Sequence, residues 1–198
     1  MTFFPPDVPT DDETPIEPEQ NPRWKPSDLE LPRLFPISEA LAVTDTVAIV
    51  VMGARVYSDG VEILIERRIR RGGRSEQEWQ LAQWSAHGLH GRPSAGRLRY
   101  GVALSDGQQV LLDTFAGFAG DDPQERSRHT LFPTNGSGGG TGHYYRYEDD
   151  MWLWPLPPTG PLQIVAQWPD EGVPEARVEL DSAPLLDLAE SVRPLWTE

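Results

Sequence analysis

The sequence predicts a mainly β fold: an antiparallel, immunoglobulin-like sandwich, with a partly open β-barrel as the alternative. Three observations carry this expectation. About seven short runs of β-forming residues follow one another, with a turn signal roughly every ten residues. Two of those turns share one sequence, at Ser58-Asp59-Gly60 and Ser105-Asp106-Gly107. The chain also carries 20 Pro and 18 Gly among 198 residues, a density that breaks long helices.

Residues 1–36 read as a disordered, acidic, Pro-rich tail. They hold eight acids against Arg23, Lys25 and Arg33. Such a segment cannot bury enough apolar surface to offset the entropy of ordering it. Phe3, Phe4, Trp24 and Phe35 are spaced along it as candidate anchors, on a partner or on the chain's own domain. The single sandwich domain is then expected over 37–198.

The first strand runs from Val47 through Ala48, Ile49, Val50 and Val51 toward Val56. After the first Ser-Asp-Gly turn, Val61, Ile63 and Ile65 alternate with Glu62 and Glu66, while Leu64 makes the other face partly apolar. Apolar residues on both faces suit a central strand. A helical insertion is expected at about 72–92. There Ser75 and Glu78 have capping-box spacing, and Trp79, Ala82, Ala86 and Leu89 recur at helical intervals. Leu98, Tyr100, Val102 and Leu104 form the next strand, and Val110 to Leu112 return after the second turn. The glycines of about 134–142 read as a flexible loop. Tyr144 to Trp154, Leu162 to Gln167 and Ala176 to Leu180 supply further strands. Asp181 or Ser182 then caps a terminal helix with one apolar face: Leu185, Leu188, Ala189 and Val192.

The block Trp152-Leu153-Trp154-Pro155-Leu156-Pro157-Pro158-Thr159-Gly160, followed by Trp168-Pro169 and Gly172-Val173-Pro174-Glu175, resembles a recurring ending of bacterial proteins from GC-rich genomes. The two hairpins are similar to the same group. The resemblance covers about residues 40–196. It implies the domain limits and no activity.

Composition narrows the function classes. The formal net charge of −14 opposes nucleic-acid phosphates and anionic lipid. Zero cysteines exclude disulfides, thiolate metal sites and a cysteine nucleophile. No stretch approaches the roughly 20 apolar residues of a membrane span, and the expected location is the cytoplasm. Chemical motifs are absent or incomplete. His87 and His90 stand three apart, with His129 and His143 as the only further histidines, so no metal is assigned. Ser137 lies between glycines without the spacing of a nucleophile elbow. The same glycines lack the lysine and following helix of a phosphate loop. Asp121-Asp122 and Asp149-Asp150 are adjacent acids, which is not yet two carboxyls facing one cleft. No cofactor is expected.

These readings point to a non-enzymatic protein-binding or assembly module, working through a protein partner or self-association. The candidate surface is the basic and aromatic run Arg67, Arg68, Arg70, Arg71, Arg74, Trp79 and Trp84. The alternative is a carbohydrate or small-ligand binder, or a hydrolase, using the aromatic and carboxylate residues of 144–154.

Overall fold

The computed structural model describes residues 23–86, 96–112 and 128–196. It forms two antiparallel sheets that enclose one core. Strand β1 (Glu30–Leu31) stands apart from both, and β2 (Arg33–Val43), β3 (Val47–Val56) and β4 (Val61–Arg70) follow it. Helix α1 (Glu76–Ala86) leads to β5 (Arg99–Ala103) and β6 (Gln109–Leu111). Then come β7 (Thr130–Pro133), β8 (Ser137–Gly140), β9 (Tyr144–Glu148), β10 (Met151–Trp154), β11 (Pro161–Trp168) and β12 (Val173–Asp181). The chain closes with α2 (Ala183–Ala189) and β13 (Arg193–Pro194).

The larger sheet runs β2-β3-β4-β10-β7, with β9 also on β4 and β8 on β9. The smaller runs β12-β11-β5-β6. Among the described residues no backbone ladder joins the two, so the arrangement is an open sandwich and not the barrel. Strand β4 is central, as its two-faced apolar pattern requires: β3 lies on one edge, and β10 then β9 on the other. Its inward row is Val61, Ile63, Ile65, Arg67 and Ile69, all buried. From the facing sheet, Tyr100, Val102, Leu162, Ile164 and Ala166 complete the core.

Local chemistry explains the elements. The Ser75 side chain accepts from the Glu78 N–H at 3.3 Å, and the Glu78 carboxylate accepts from the Ser75 N–H at 2.7 Å, so the capping box forms. At α2, Asp181 accepts from the Ala183 N–H at 3.0 Å. Ser182 instead turns inward, donating to the Pro158 carbonyl at 2.7 Å and accepting from the Gly160 N–H at 3.0 Å. That fastens the proline turn before β11 to the start of the helix. Gly107 has the positive φ of 88° that a tight hairpin turn demands. Gly60 has no such φ. A Cβ there would stand 2.4 Å from the Trp152 ring and 2.8 Å from the Leu153 carbonyl, so this glycine is needed for close approach.

Two boundaries need correction. The tail does not extend to residue 36, because β1 and the start of β2 lie within 1–36. Residues 23–29 also cross the outer face of the larger sheet, where the Trp152 indole donates to the Arg23 carbonyl at 2.9 Å. Residues 1–22, with Phe3 and Phe4, lie outside the described residues. The second correction is the glycine loop. Residues 137–140 form strand β8, paired with β9 from Ser137↔Glu148 to Gly140↔Tyr145. Glycine fits because a Cβ at Gly138 or Gly140 would strike Tyr147 or Tyr145. No helix among the described residues is long and apolar enough to cross a membrane.

Gly60→Ala should cost about 1–3 kcal/mol in urea unfolding, because the Trp152 ring cannot yield. Gly73→Ala, with nothing within 4 Å of the added carbon, serves as the control and should change stability by less than about 1 kcal/mol. Equal effects at the two positions would contradict the close-approach explanation.

Candidate functional site

Three places gather charged or apolar groups in ways a plain sandwich does not need. The first lies inside the core. Strand alternation points Arg67 inward, where it is 2 % exposed. Its Nε and Nη2 donate to the two Asp149 carboxylate oxygens at 2.7 and 2.9 Å. Tyr100, from the opposite sheet, donates its hydroxyl to Asp149 Oδ2 at 2.7 Å. The guanidinium lies 4.9 Å from the Tyr147 ring and 5.1 Å from the Trp168 ring. Burial works against the Arg67 charge, yet Asp149 beside it keeps the guanidinium above its usual range. Burial, with Asp149 next, holds the Tyr100 hydroxyl well above its usual range. This cluster ties the two sheets together and is buried.

Arg67 is therefore not part of an interaction surface, and neither is Trp79, buried at 1 % exposure. Most of the remaining run is neutralised internally. Arg68 pairs with Glu66, Arg71 with Glu76 at 2.8 Å, and Arg74 with Glu171. Arg70 donates to the Asp45 carbonyl. Trp84 alone of the two tryptophans is exposed, at 78 %. A basic patch awaiting an acidic partner is not what the side chains form. His87 and His90 lie outside the described residues. His129 contacts Gln108 and the Leu156 carbonyl, and no metal-holding group of three His, Asp or Glu occurs among the described residues.

The second place is the two-stranded ribbon of β1 and β13, which joins the two ends of the described chain. Its register pairs Glu30 with Pro194 and Leu31 with Arg193, and the Leu195 N–H donates to the Leu29 carbonyl at 2.8 Å. Glu30 faces the body of the domain, accepting from the Ser58 N–H at 3.0 Å and the Ser58 hydroxyl at 2.5 Å. The opposite ribbon face then presents Leu29, Leu31 and Leu195, which are 51 %, 53 % and 47 % exposed. Trp196 and Leu34 are exposed as well. The alternation Leu29-Glu30-Leu31 carried this signal in the sequence, but the acid and proline content around it pointed to a tail.

The third place is a cleft between the crossing segment 24–28 and the outer face of the larger sheet. Its cavity is about 490 Å³. A one-residue bulge in β3 between Val51 and Gly53 turns Arg55 to the outer face, opposite Glu62. Arg55 Nη1 lies 2.8 Å from Glu62 and 3.8 Å from Asp150. Burial, followed by the Glu62 charge, raises the Asp150 carboxyl to about 6 despite Arg55. Burial, again with Glu62, pushes the Tyr57 hydroxyl to about 12. Tyr57 stands edge-on to Trp152, centroids 5.4 Å apart. Of the aromatic anchors, Trp24 lies on the cleft rim, whereas Phe35 packs half-buried against the core. Sequence patterning marks Trp24 and the 144–154 segment with Asp150 and Trp152, whereas Arg55 and Tyr57 carry no site signal and Glu62 shows only strand alternation. Only the folded register brings those together.

Two tests follow. Tyr100→Phe leaves Asp149 short of one donor and should cost about 1–3 kcal/mol; unchanged urea stability would contradict the network. For Asp150, the folded value of about 6 stands above the ordinary 3.8. Ionisation thus costs the native state more than the unfolded chain, and this stability contribution falls as pH rises from about 4 to about 6. Measured by urea unfolding, Asp150→Asn should gain stability relative to the natural chain across that window, by up to about 3 kcal/mol. A difference that stays flat with pH would contradict the assignment.

No protein-family model matches the chain, and no curated protein or solved structure matches it either.

Proposed function

We propose that the chain is a non-enzymatic protein-binding module whose partner docks on the outward face of the β1–β13 ribbon. One observation carries the reading: Leu29, Leu31 and Leu195 share the solvent-facing side of the ribbon, with Arg193 across from Leu31. Contiguous apolar patches on a protein surface mark sites of association. A two-stranded ribbon is only marginally stable in water, and a covering partner supplies the missing third layer.

The occupant is a protein with an apolar patch rimmed by basic residues. The net charge of −14 steers such a partner in and repels acidic ones. This differs from an acidic partner on the arginine run, whose charges are largely paired within the domain. Nucleic acid and anionic membranes stay disfavoured on the same charge argument.

The paired variant Leu31→Asp with Leu195→Asp tests this. Cross-linking mass spectrometry in the native host should place a partner's cross-links around the ribbon. The variant should lower their yield by roughly tenfold while near-ultraviolet circular dichroism stays unchanged. The same partners at the same yield would overturn the proposal.

A further inference from the structure

The cleft under residues 24–28 lies apart from the ribbon face, and its chemistry can be read independently. Trp24, Lys25, Asp28, Arg55, Tyr57 and Glu62 are among the residues that line it. A volume of about 490 Å³ sits within the range of small-ligand sites. The cations there already have anionic neighbours. Lys25 lies 2.5 Å from Asp28, and Arg55 lies 2.8 Å from Glu62. A phosphate or other anion would meet Asp28 and Glu62. A cation would compete with the lysine and the arginine for the same carboxylates. A neutral ligand meets neither obstacle.

The polar groups suit a ligand that both donates and accepts. Carboxylates only accept, and arginine and lysine only donate, so one surface offers both halves of the exchange. The Tyr57 hydroxyl stays protonated at neutral pH, since it titrates only at about 12. At the rim, the Trp24 indole is 54 % exposed and offers an apolar plane with a polar edge.

We infer that this cleft binds a saccharide, with ring hydroxyls exchanging hydrogen bonds with Arg55 and Glu62 and an apolar sugar face lying on Trp24. Glu62 accepts, and Arg55 donates from the guanidinium nitrogens not turned to Glu62. Trp24 supplies contact area without charge. The mobile-proton chemistry of a hydrolase is not part of the inference, since Asp150 does not line the cavity.

The test uses the full chain and isothermal titration with glucose, galactose, N-acetylglucosamine, maltose, cellobiose and chitobiose. Inorganic phosphate and free arginine serve as the charged comparisons. At least one sugar should bind saturably, and more tightly than either charged probe. Trp24→Ala should weaken it by about tenfold, because the lost stacking is worth about 1.4 kcal/mol. Trp24 is exposed, so that variant should keep its far-ultraviolet circular dichroism, and Glu62→Gln should weaken binding in the same way. The ribbon variant Leu31→Asp with Leu195→Asp should bind sugar unchanged, so the two proposals succeed or fail separately. Absence of saturable binding by every sugar, tighter binding of phosphate or arginine, or an affinity indifferent to Trp24→Ala would each overturn the inference.

Discussion

An ion pair buried between two sheets holds only if its geometry is complete, and here the Arg67–Asp149 pair is the constraint from which the rest follows. Desolvating two charges costs several kcal/mol each, and a bare pair does not recover that cost. The guanidinium meets the carboxylate with two parallel donors, Tyr100 adds a third, and the faces of Tyr147 and Trp168 enclose the charge. Arg67 and Tyr147 belong to the larger sheet and Asp149 to the link between its strands β9 and β10, whereas Tyr100 and Trp168 belong to the smaller. Apolar packing would hold the sheets together at many relative positions. The pair is satisfied in one, so it sets how the sandwich closes.

Register propagates that position outward. Asp149 and Asp150 stand where the neighbour of β4 changes from β9 to β10. With Asp149 fixed inward, Asp150 must face outward, and Trp152 follows it by strand alternation. Trp152 then packs on Gly60 and Tyr57 and holds the Arg23 carbonyl, which brings the N-terminal segment across the sheet. That crossing builds both surface features. It roofs the cleft over Arg55 and Glu62, and it delivers Leu29 to Leu31 to the partner strand at the other end of the chain. The cleft and the ribbon share a single supporting segment, while their chemistries are distinct: one is lined mainly by polar side chains, the other by leucines.

The hairpins, the central strand, the capped insertion helix and the terminal helix were legible because each rests on local chemistry: alternation, an Asp-Gly turn, a capping box. Arg67 was legible too. It occupies an odd position in the row Val61, Ile63, Ile65, Arg67, Ile69, and that row faces the core. Grouping it with neighbouring arginines as a basic run hid the alternation. Strand β8 had no readable pattern, since glycine carries no side chain, and its place is set by the Tyr145 and Tyr147 rings beneath it. Residues 23–36 were assigned to the tail by composition, but they are ordered by distant partners, Trp152, Ser58 and the β13 strand. The cleft depends on a β-bulge and on cross-strand register, and neither leaves a mark that one sequence shows.

The central claim is that Arg67 and Asp149 act as one unit in fixing the sandwich. A double-mutant cycle with Arg67→Met and Asp149→Leu, read by urea unfolding, tests it most directly. Each single change leaves an uncompensated buried charge and should cost about 3–5 kcal/mol. The double variant should cost clearly less than the sum, because both charges leave together. A double-variant cost equal to the sum within about 0.5 kcal/mol would mean that the two residues contribute independently, and the account would be wrong.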